Sequence, residues 1–216
     1  MSLRDDIQEL QQDFLQRMPK ETVDLIMGAT DRLVRTGIAE KSLKEGDKLP
    51  AFSLPDATGT PLSSSALLQA GPLVINFYRG GWCPYCNLEL RAFQQALPEI
   101  NALGAQLVAI SPNLPDQSLS SIEKHALSFP VLSDVGNELA RQCGLVFALD
   151  AALRPLYQQF NIDIAAFNGD DSYELPIPAT YVVASDGTIK LAFVDADYSK
   201  RLDPLDVIEA LRQLRQ

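Results

Sequence analysis

Two cysteines separated by two residues are the clearest chemical feature of the sequence. Cys83 and Cys86 lie in the segment FYRGGWCPYC, where an apolar run gives way to a helical pattern. At positions i and i+3 of a helix start, the two thiols share one face and can form a disulfide. The free N–H groups and dipole of the first turn stabilise an anion, so we expect an accessible, thiolate-prone Cys83 and a less accessible Cys86. Pro84 suits a first turn, where the missing N–H has no partner to lose.

A zinc site and an inert packing role are the alternatives for this spacing. His125 and Cys143 would bring the ligand count to four, but these two residues lie 18 positions apart. Zinc knuckles normally supply their second pair at short spacing. The sequence therefore favours a redox dithiol that needs neither metal nor other cofactor. We expect Cys143, at a predicted helix end, to pack in the core.

Three neighbours of the pair are candidate supporting residues. A cation at Arg79 would lower the pKa of a nearby thiol, although this residue could equally be a solvated loop side chain. Trp82 can cover the sulfurs and offer a surface to a partner, or can simply pack. Tyr85 is a candidate for tuning the thiols, with an exposed surface position as its alternative.

The segments around the motif predict an α/β fold. Residues 73–78 form an aliphatic and aromatic run that is typical of a buried strand, and helical periodicity then continues from residue 83 to Leu97, with Pro98 after it. Further strands are predicted at 106–110, 131–132, 181–184 and 188–194, and helices at about 115–127, from 137, at 151–160 and at 204–214. Strands separated by helices imply a largely parallel sheet. The motif follows a strand, and the carboxyl ends of such strands are where ligands bind.

The first 45 residues predict an appended pair of helices. Acidic residues begin the second helix and Arg32 and Arg35 end it, followed by Gly37 as a cap. Pro19 must end the first helix, whose apolar stripe comprises Leu3, Ile7, Leu10, Phe14, Leu15 and Met18. We therefore predict an N-terminal helical extension over residues 1–45 and one domain over 46–216. The stripe must be buried, on its own domain or on a second copy in a homodimer.

Composition excludes several classes of partner and location. The chain has 18 Lys and Arg against 28 Asp and Glu, a net charge of -10, and shows no basic cluster for nucleic acid. No apolar run approaches the roughly 20 residues of a membrane span. Three cysteines are too few, and odd in number, for a secreted disulfide framework, and the first residues lack the pattern of a signal peptide. We expect a cytoplasmic protein that binds neither nucleic acid nor membrane.

Several spaced segments carry a resemblance to a known family. They are GDKLPAFSL from Gly46, FYRGGWCPYC with the following Glu89, AISP from Ala109, FPVLSD from Phe129, and PATY from Pro178. With these segments the chain resembles the peroxiredoxin-like branch of the thioredoxin-fold superfamily, the alkyl hydroperoxide reductase and thiol-specific antioxidant group. The resemblance implies a thioredoxin-like fold with a central mixed sheet flanked by helices. It also implies an antioxidant oxidoreductase that reduces hydroperoxides through Cys83 and Cys86, with thioredoxin, glutaredoxin or a low-molecular-weight thiol as reductant.

The motif departs from the usual pattern of this family. Peroxiredoxins usually carry Pro-x-x-x-Thr-x-x-Cys and a distant arginine, the threonine and arginine holding the peroxide. The resemblance places Cys86 at the peroxidatic position, Arg79 at the proline, Cys83 at the threonine and Pro178 at the arginine. Two lost hydrogen bonds of about 1.5–3 kcal/mol each would slow the reaction by roughly two to four decades.

Two other functions share the same pair. Cys-Pro-Tyr-Cys is similar to the glutaredoxin active site, and a tryptophan directly before the motif, here Trp82, is similar to the thioredoxin pattern. Pro178 resembles the cis-proline that those folds place opposite the dithiol. These likenesses imply a disulfide reductase in which Cys83 attacks and Cys86 resolves. In a peroxidase that follows the family position, Cys86 becomes the sulfenic acid and Cys83 condenses with it. A non-enzymatic sensor, in which the disulfide changes a contact of the N-terminal helices, is the third hypothesis.

Overall fold

A five-stranded mixed sheet forms the centre of the computed structural model, which describes residues 2–215. Its strand order is β5-β4-β3-β8-β9, and β1 with β2 and β6 with β7 form two small antiparallel pairs. The strands are β1 Ser53–Pro55, β2 Pro61–Ser63, β3 Leu73–Phe77, β4 Gln106–Ser111, β5 Val131–Ser133, β6 Val146–Ala148, β7 Glu174–Pro176, β8 Ala179–Val183 and β9 Ile189–Val194. Strands β3, β4 and β5 are parallel, and β8 is antiparallel to both β3 and β9. The predicted thioredoxin-like fold with a mixed sheet is confirmed.

Helices cover both faces of this sheet. They are α1 Leu3–Arg17, α2 Lys20–Arg35, α3 Ile38–Lys41, α4 Ser64–Ala70, α5 Pro84–Ala102, α6 Pro115–His125, α7 Glu138–Gln142, α8 Arg154–Gln159, α9 Ile164–Asn168 and α10 Pro204–Gln213, with a 3-10 turn at Ala151–Leu153. Helix α5 passes through Pro98, where the sequence pattern predicted an end. The helix tolerates the missing N–H because Leu97 and Ile100 stay buried against the sheet, and the last turn closes on Glu99 with a 3.1 Å bond from the Leu103 N–H.

Alternation along β3 explains how the sheet fills two cores. Val74 faces the core under α5 and α10, whereas Leu73, Ile75 and Phe77 face the opposite core. Every residue of β3 is buried, which is why the sequence shows one continuous apolar run interrupted only by Asn76. The strand therefore delivers its carboxyl end, and the motif that follows, into the interior of the protein.

The N-terminal helices pack on their own chain. Helix α1 begins at a capping box made by Ser2 and Asp5, ends before Pro19 as predicted, and lies against α5. Helix α2 ends before Gly37, which adopts a φ of 66°. Within the described part of the chain, no helix is long and apolar enough to cross a bilayer.

Candidate active site

A glycine loop connects the end of β3 to the start of α5. Gly80 has a φ of 149°, and a Cβ atom there would lie 2.4 Å from the Trp82 indole nitrogen. A Cβ atom at Gly81 would lie 2.1 Å from Ser121 Oγ. Asn113, which follows β4, accepts a 3.1 Å hydrogen bond from the Gly81 N–H. Gly80 is thus required by its positive φ and the close approach of Trp82, a Cβ atom at Gly81 would displace the Ser121 hydroxyl, and the loop is held by a residue that follows the neighbouring strand.

The two thiols begin helix α5 as predicted. Cys83 is the N-cap residue and Pro84 is the first helical residue. Cys83 is the more accessible thiol, as expected, but only through a cavity, because its exposed fraction is 1% and that of Cys86 is 0%. The reason is an apolar cover: Cys83 lies in the wall of a cavity of about 270 Å³ whose lining includes Phe14 and Ile26 of the N-terminal helices. Cys86 is not among the residues that line this cavity. Both cysteines are free thiols in the structure.

A buried ion pair lies beside Cys86. Arg201 pairs with Glu89, and the two side chains are 0% and 2% exposed. The same guanidinium donates a hydrogen bond of 3.4 Å to Cys86 Sγ and, through Nε, one of 2.9 Å to the Tyr198 carbonyl. Burial raises the pKa of Glu89, an effect that the charge of Arg201 opposes. Arg201 therefore orients Cys86, and Glu89 holds the guanidinium in place.

Arg79 lies in a different setting on the other side of the pair. Its side chain is buried, donates a 2.6 Å hydrogen bond to the Tyr157 hydroxyl, and lies 4.9 Å and 4.4 Å from the ring centres of Trp82 and Tyr198. Among residues 2–215 no carboxylate forms an ion pair with it. The alternative of a solvated loop arginine does not fit this burial, and Arg79 is left with aromatic rings and a thiol as neighbours.

The charges of the cluster decide which thiol ionises. Burial by itself disfavours a charged Cys83, but the hydrogen bond from Cys86 and the charges of Arg79 and Arg201 outweigh it and lower the pKa of Cys83 to about 5. Burial, then the hydrogen bond and charge of Cys83, raise the pKa of Cys86. Two arginines and one carboxylate leave one positive charge, which a single thiolate balances. Near neutral pH that thiolate is on Cys83.

The aromatic neighbours enclose the cavity above Cys83. Trp82 is half-buried and meets Tyr157 edge to face, with ring centres 5.6 Å apart. Tyr85 meets Tyr198 in the same way at 5.5 Å, and burial raises the pKa of Tyr85 to about 12. All four rings, together with exposed Pro84, line the cavity. Trp82 and Tyr85 therefore act as walls of the cavity.

Two residues singled out from the sequence lie elsewhere. The expectation of a cis-proline at Pro178 is wrong, because no cis peptide bond occurs in the described chain. Pro178 is buried between β7 and β8 and does not line the cavity above Cys83. Cys143 is 1% exposed and packs in the core on the opposite face of the sheet. Its position fits the expected packing role.

The zinc alternative would need His125 and Cys143 as ligands beside the dithiol. In the part of the chain that the structure describes, no group of three or more His, Cys, Asp or Glu side chains could hold a metal ion. His125 is half-buried at the end of α6, where burial lowers its pKa.

Arg201, Tyr198 and Tyr157 belong to the site and were not predicted. They escape a motif search because Arg201 lies 115 positions from Cys86 in the chain. Topology offers the signal that could have found the first two. Strand β9 is antiparallel to β8, which is antiparallel to β3, so β9 runs parallel to β3 and its following loop lies at the same edge of the sheet.

Comparisons with known proteins point to one family. Residues 45–192 match the AhpC/TSA family. A Mycobacterium tuberculosis protein named as a peroxiredoxin is 34% identical over 114 residues, which is 53% of this chain and 74% of that protein. Peroxiredoxin Bcp of Escherichia coli is 29% identical over 103 residues, 48% of this chain and 65% of that protein.

A solved structure shows the same architecture. The crystal structure of peroxidoxin BcpB from Mycobacterium tuberculosis superposes with a TM-score of 0.64 and 25% identity, covering 81% of this chain and 99% of that one. The N-terminal helices and Arg201 lie outside the segment that matches the family. The thiols and Arg79 lie inside it.

Proposed function

Because the chain belongs to the AhpC/TSA family and is a thiol-dependent peroxidase, we propose that Cys83 is the thiol that attacks the hydroperoxide. One observation carries this assignment: of the two thiols, Cys83 is the one that lines the cavity. Its lowered pKa agrees, since the thiolate is the nucleophilic form. The family position would give the first attack to Cys86, which is buried away from that cavity and has a raised pKa.

The chemical steps use the two cysteines in turn. The Cys83 thiolate attacks the terminal oxygen of ROOH, the O–O bond breaks, and Cys83 becomes a sulfenic acid while RO⁻ takes a proton to leave as ROH. The Cys86 thiol then attacks the Cys83 sulfur, which forms the disulfide and releases water. Two electrons from external thiols restore the pair. Arg79, at the wall of the same cavity, supplies the positive charge that a developing alkoxide requires.

Arg201 serves the second thiol in this scheme. Its hydrogen bond to Cys86 Sγ stabilises negative charge on that sulfur when Cys86 gives up its proton to attack. Glu89 fixes the guanidinium in place. We therefore propose that Arg201 compensates for the arginine that the family pattern would place at Pro178.

Trapping of the sulfenic acid tests the order of attack. In Cys86→Ser, one equivalent of peroxide should leave a dimedone-reactive sulfenate on Cys83, which peptide mass spectrometry can locate. Cys83→Ser should consume peroxide at least roughly a thousandfold more slowly, as expected when a nucleophile is removed. Cys143→Ser is the matched control and should keep full activity. A sulfenate on Cys86 in the Cys83→Ser variant would contradict the assignment and restore the family order.

Reductant and location are proposals as well. Peroxiredoxins generally use thioredoxin-type reductants, and thioredoxin, glutaredoxin and a low-molecular-weight thiol are all candidates for this chain. We place the protein in the cytoplasm because three cysteines are too few, and odd in number, for the disulfide framework of a secreted protein. Fractionation of cells with an antibody against the native protein tests this.

We also propose the division at residue 45 and a homodimer through the extension. The family match begins at residue 45, which supports the division. Leu15 and Met27 are 55% and 56% exposed and border one cavity of about 290 Å³ between α1 and α2, an apolar surface that a second copy could cover. Sedimentation of wild type and of Met27→Glu tests the dimer. If both proteins sediment as monomers, the dimer is excluded.

A further inference from the structure

The charge balance of the active site holds only in the reduced protein. Arg201 has Glu89 as its partner, whereas Arg79 has no carboxylate among the described residues and relies on the thiolate of Cys83. A disulfide carries no charge. When Cys83 and Cys86 join, Arg79 therefore keeps its positive charge, since guanidinium is not deprotonated in proteins, and loses its counter-charge.

A buried cation without a counter-charge is strongly unfavourable. Arg79 is 3% exposed, so water cannot solvate it fully, and its Nε has no hydrogen-bond partner among residues 2–215. The same side chain lines the cavity of about 270 Å³ above Cys83, whose other walls are almost entirely aromatic or aliphatic. Oxidation thus makes it favourable for an anion to bind beside the Arg79 guanidinium. The adjoining cavity has room for the apolar part of a small ligand.

We propose that the oxidised protein binds a small anion with an apolar body in this cavity, and that the physiological occupant is the thiolate of a low-molecular-weight reductant. The inference rests on the proposed dithiol cycle. Arg79 holds the negative end of the ligand, while Trp82, Tyr157 and the side chains of Phe14 and Ile26 contact its apolar part. Binding places the ligand sulfur next to Cys83.

The reduction that follows is balanced by two equivalents of this thiol. The bound RS⁻ attacks the Cys83 sulfur, forms the mixed disulfide Cys83–S–S–R, and expels Cys86 as a thiolate, which then takes a proton from water. Arg201 is already hydrogen-bonded to that sulfur at 3.4 Å and stabilises the leaving group. A second RS⁻ attacks the ligand sulfur of the mixed disulfide, which releases RSSR and returns Cys83 as the thiolate that neutralises Arg79. The protein disulfide gains two electrons and two small thiolates lose them.

Geometry favours a small thiol over a protein reductant. The sulfurs are 1% and 0% exposed, and the cavity reaches Cys83 between the N-terminal helices and the aromatic residues. A protein disulfide reductase has to bring its own cysteine to the sulfur on a folded surface, and this cavity is too small to admit one. Glutathione, which carries several charges, suits the apolar walls less well than an aromatic or aliphatic monothiol.

Calorimetry with benzenesulfonate, an unreactive anion on an apolar ring, tests the binding step. The protein is oxidised with diamide, so that the experiment does not depend on peroxide chemistry, and mass spectrometry verifies the disulfide between Cys83 and Cys86. We expect the oxidised protein to bind at least tenfold more tightly than the reduced one. Arg79→Met should abolish this difference and Arg79→Lys should retain most of it. Arg154→Met is the matched control, since Arg154 also lies over an aromatic ring, at 4.0 Å from that of Tyr173, but outside the cavity.

The outcomes separate this inference from the proposed function. Equal affinity in both redox states, or unchanged affinity in oxidised Arg79→Met, would overturn the anion site and leave the peroxidase cycle intact. Failure of diamide to join Cys83 to Cys86 would overturn both.

Reduction kinetics test the identity of the occupant. The oxidised protein is mixed with benzenethiol, 2-mercaptoethanol or thioredoxin, and the small-thiol rates are corrected for thiolate fraction and nucleophilicity. Benzenethiol should then be at least tenfold faster than 2-mercaptoethanol in wild type, because the apolar walls bind its ring. Both rates should fall at least tenfold in Arg79→Met, because the cation holds either thiolate. A faster reaction with thioredoxin than with benzenethiol at equal concentration would overturn the assignment to a small thiol.

Discussion

Arg79 and Arg201 are two buried arginines beside one pair of thiols, and their surroundings differ. Arg201 has an anionic partner of its own, Glu89, and contacts Cys86 with what remains of its hydrogen-bonding capacity. Arg79 has a phenol and two aromatic rings around it and no carboxylate within the described range. An arginine side chain therefore fixes geometry at position 201 and supplies net charge at position 79.

The difference shows how a buried cation obtains a chemical role. A carboxylate partner cancels part of the field that a cation exerts on its other neighbours, whereas a cation with only polarisable rings acts undiminished on the nearest group that can ionise. Here that group is Cys83. Substitutions that remove each arginine separately should therefore have effects of different kinds, on stability for Arg201 and on reactivity for Arg79.

The largest effect is expected from Arg201→Met. The variant leaves Glu89 buried without its partner, and breaking such a pair costs about 3–5 kcal/mol. Urea denaturation of the reduced protein measures this loss. Arg212→Met is the matched control, because Arg212 pairs with Glu99 at 2.6 Å on the surface, where a pair contributes about 1 kcal/mol or less. Equal losses in free energy of unfolding in the two variants would show that Arg201 stabilises the fold no more than a surface arginine does.

Arg79→Met should lower reactivity and leave stability nearly unchanged. Without the cation the pKa of Cys83 rises, and the buried thiol can take up a proton, so no charge is stranded. At pH 7 the rate of peroxide consumption should fall roughly tenfold, since a rise of the pKa above 7 removes most of the thiolate. Stopped-flow measurements against wild type check the rate. A loss of stability as large as that of Arg201→Met would contradict the separation of roles.

The pH profile of wild type tests the charge on Cys83 directly. Because its pKa is lowered to about 5, the thiolate is present above that pH and is lost as the pH falls through it. The rate of alkylation by iodoacetamide should therefore be level between pH 8 and pH 6 and half-maximal near pH 5. An ordinary thiol would already lose reactivity below about pH 8.5. A midpoint above pH 7 in wild type would mean that Arg79 does not act on Cys83.

Tyr157→Phe is expected to give the smallest effect. The change removes the 2.6 Å hydrogen bond to Arg79 and keeps the ring that packs against Trp82. One such bond to a charged group contributes about 1.5–3 kcal/mol, but Arg79 keeps both aromatic rings, so the alkylation midpoint should shift by less than about one pH unit. An unchanged alkylation midpoint would show that the rings of Trp82 and Tyr198 orient Arg79 without the Tyr157 hydroxyl.

Much of the fold follows from local patterns in the sequence. The buried run before the motif becomes β3 because both faces of the central strand are covered, and the amphipathic stripe from Leu3 to Met18 becomes α1 because Pro19 ends it. The predicted end of α5 before Pro98 was wrong, because packing of Ile100 against the sheet outweighs the single hydrogen bond that Pro98 removes. Local signals thus predict elements well where tertiary packing agrees with them.

Only those residues of the active site that lie close together in the sequence could be predicted. The pattern around Cys83 and Cys86 identified the dithiol, and the charge at Arg79 was visible beside it. Arg201 was not, since its role depends on where the loop after β9 ends in space. The enclosure of Cys83 was not predictable either, because part of its cover comes from Phe14 and Ile26, which precede it by 69 and 57 positions.

Trp82 has a practical consequence that follows from its position. It is the single tryptophan of the chain, its ring centre lies 4.9 Å from the Arg79 guanidinium, and it adjoins Cys83. Indole emission responds to a nearby charge and to a sulfur that changes its oxidation state, and no second indole contributes background light. The protein therefore carries a built-in optical reporter in which each half of a catalytic cycle can be followed as a change in colour and intensity, with no dye attached.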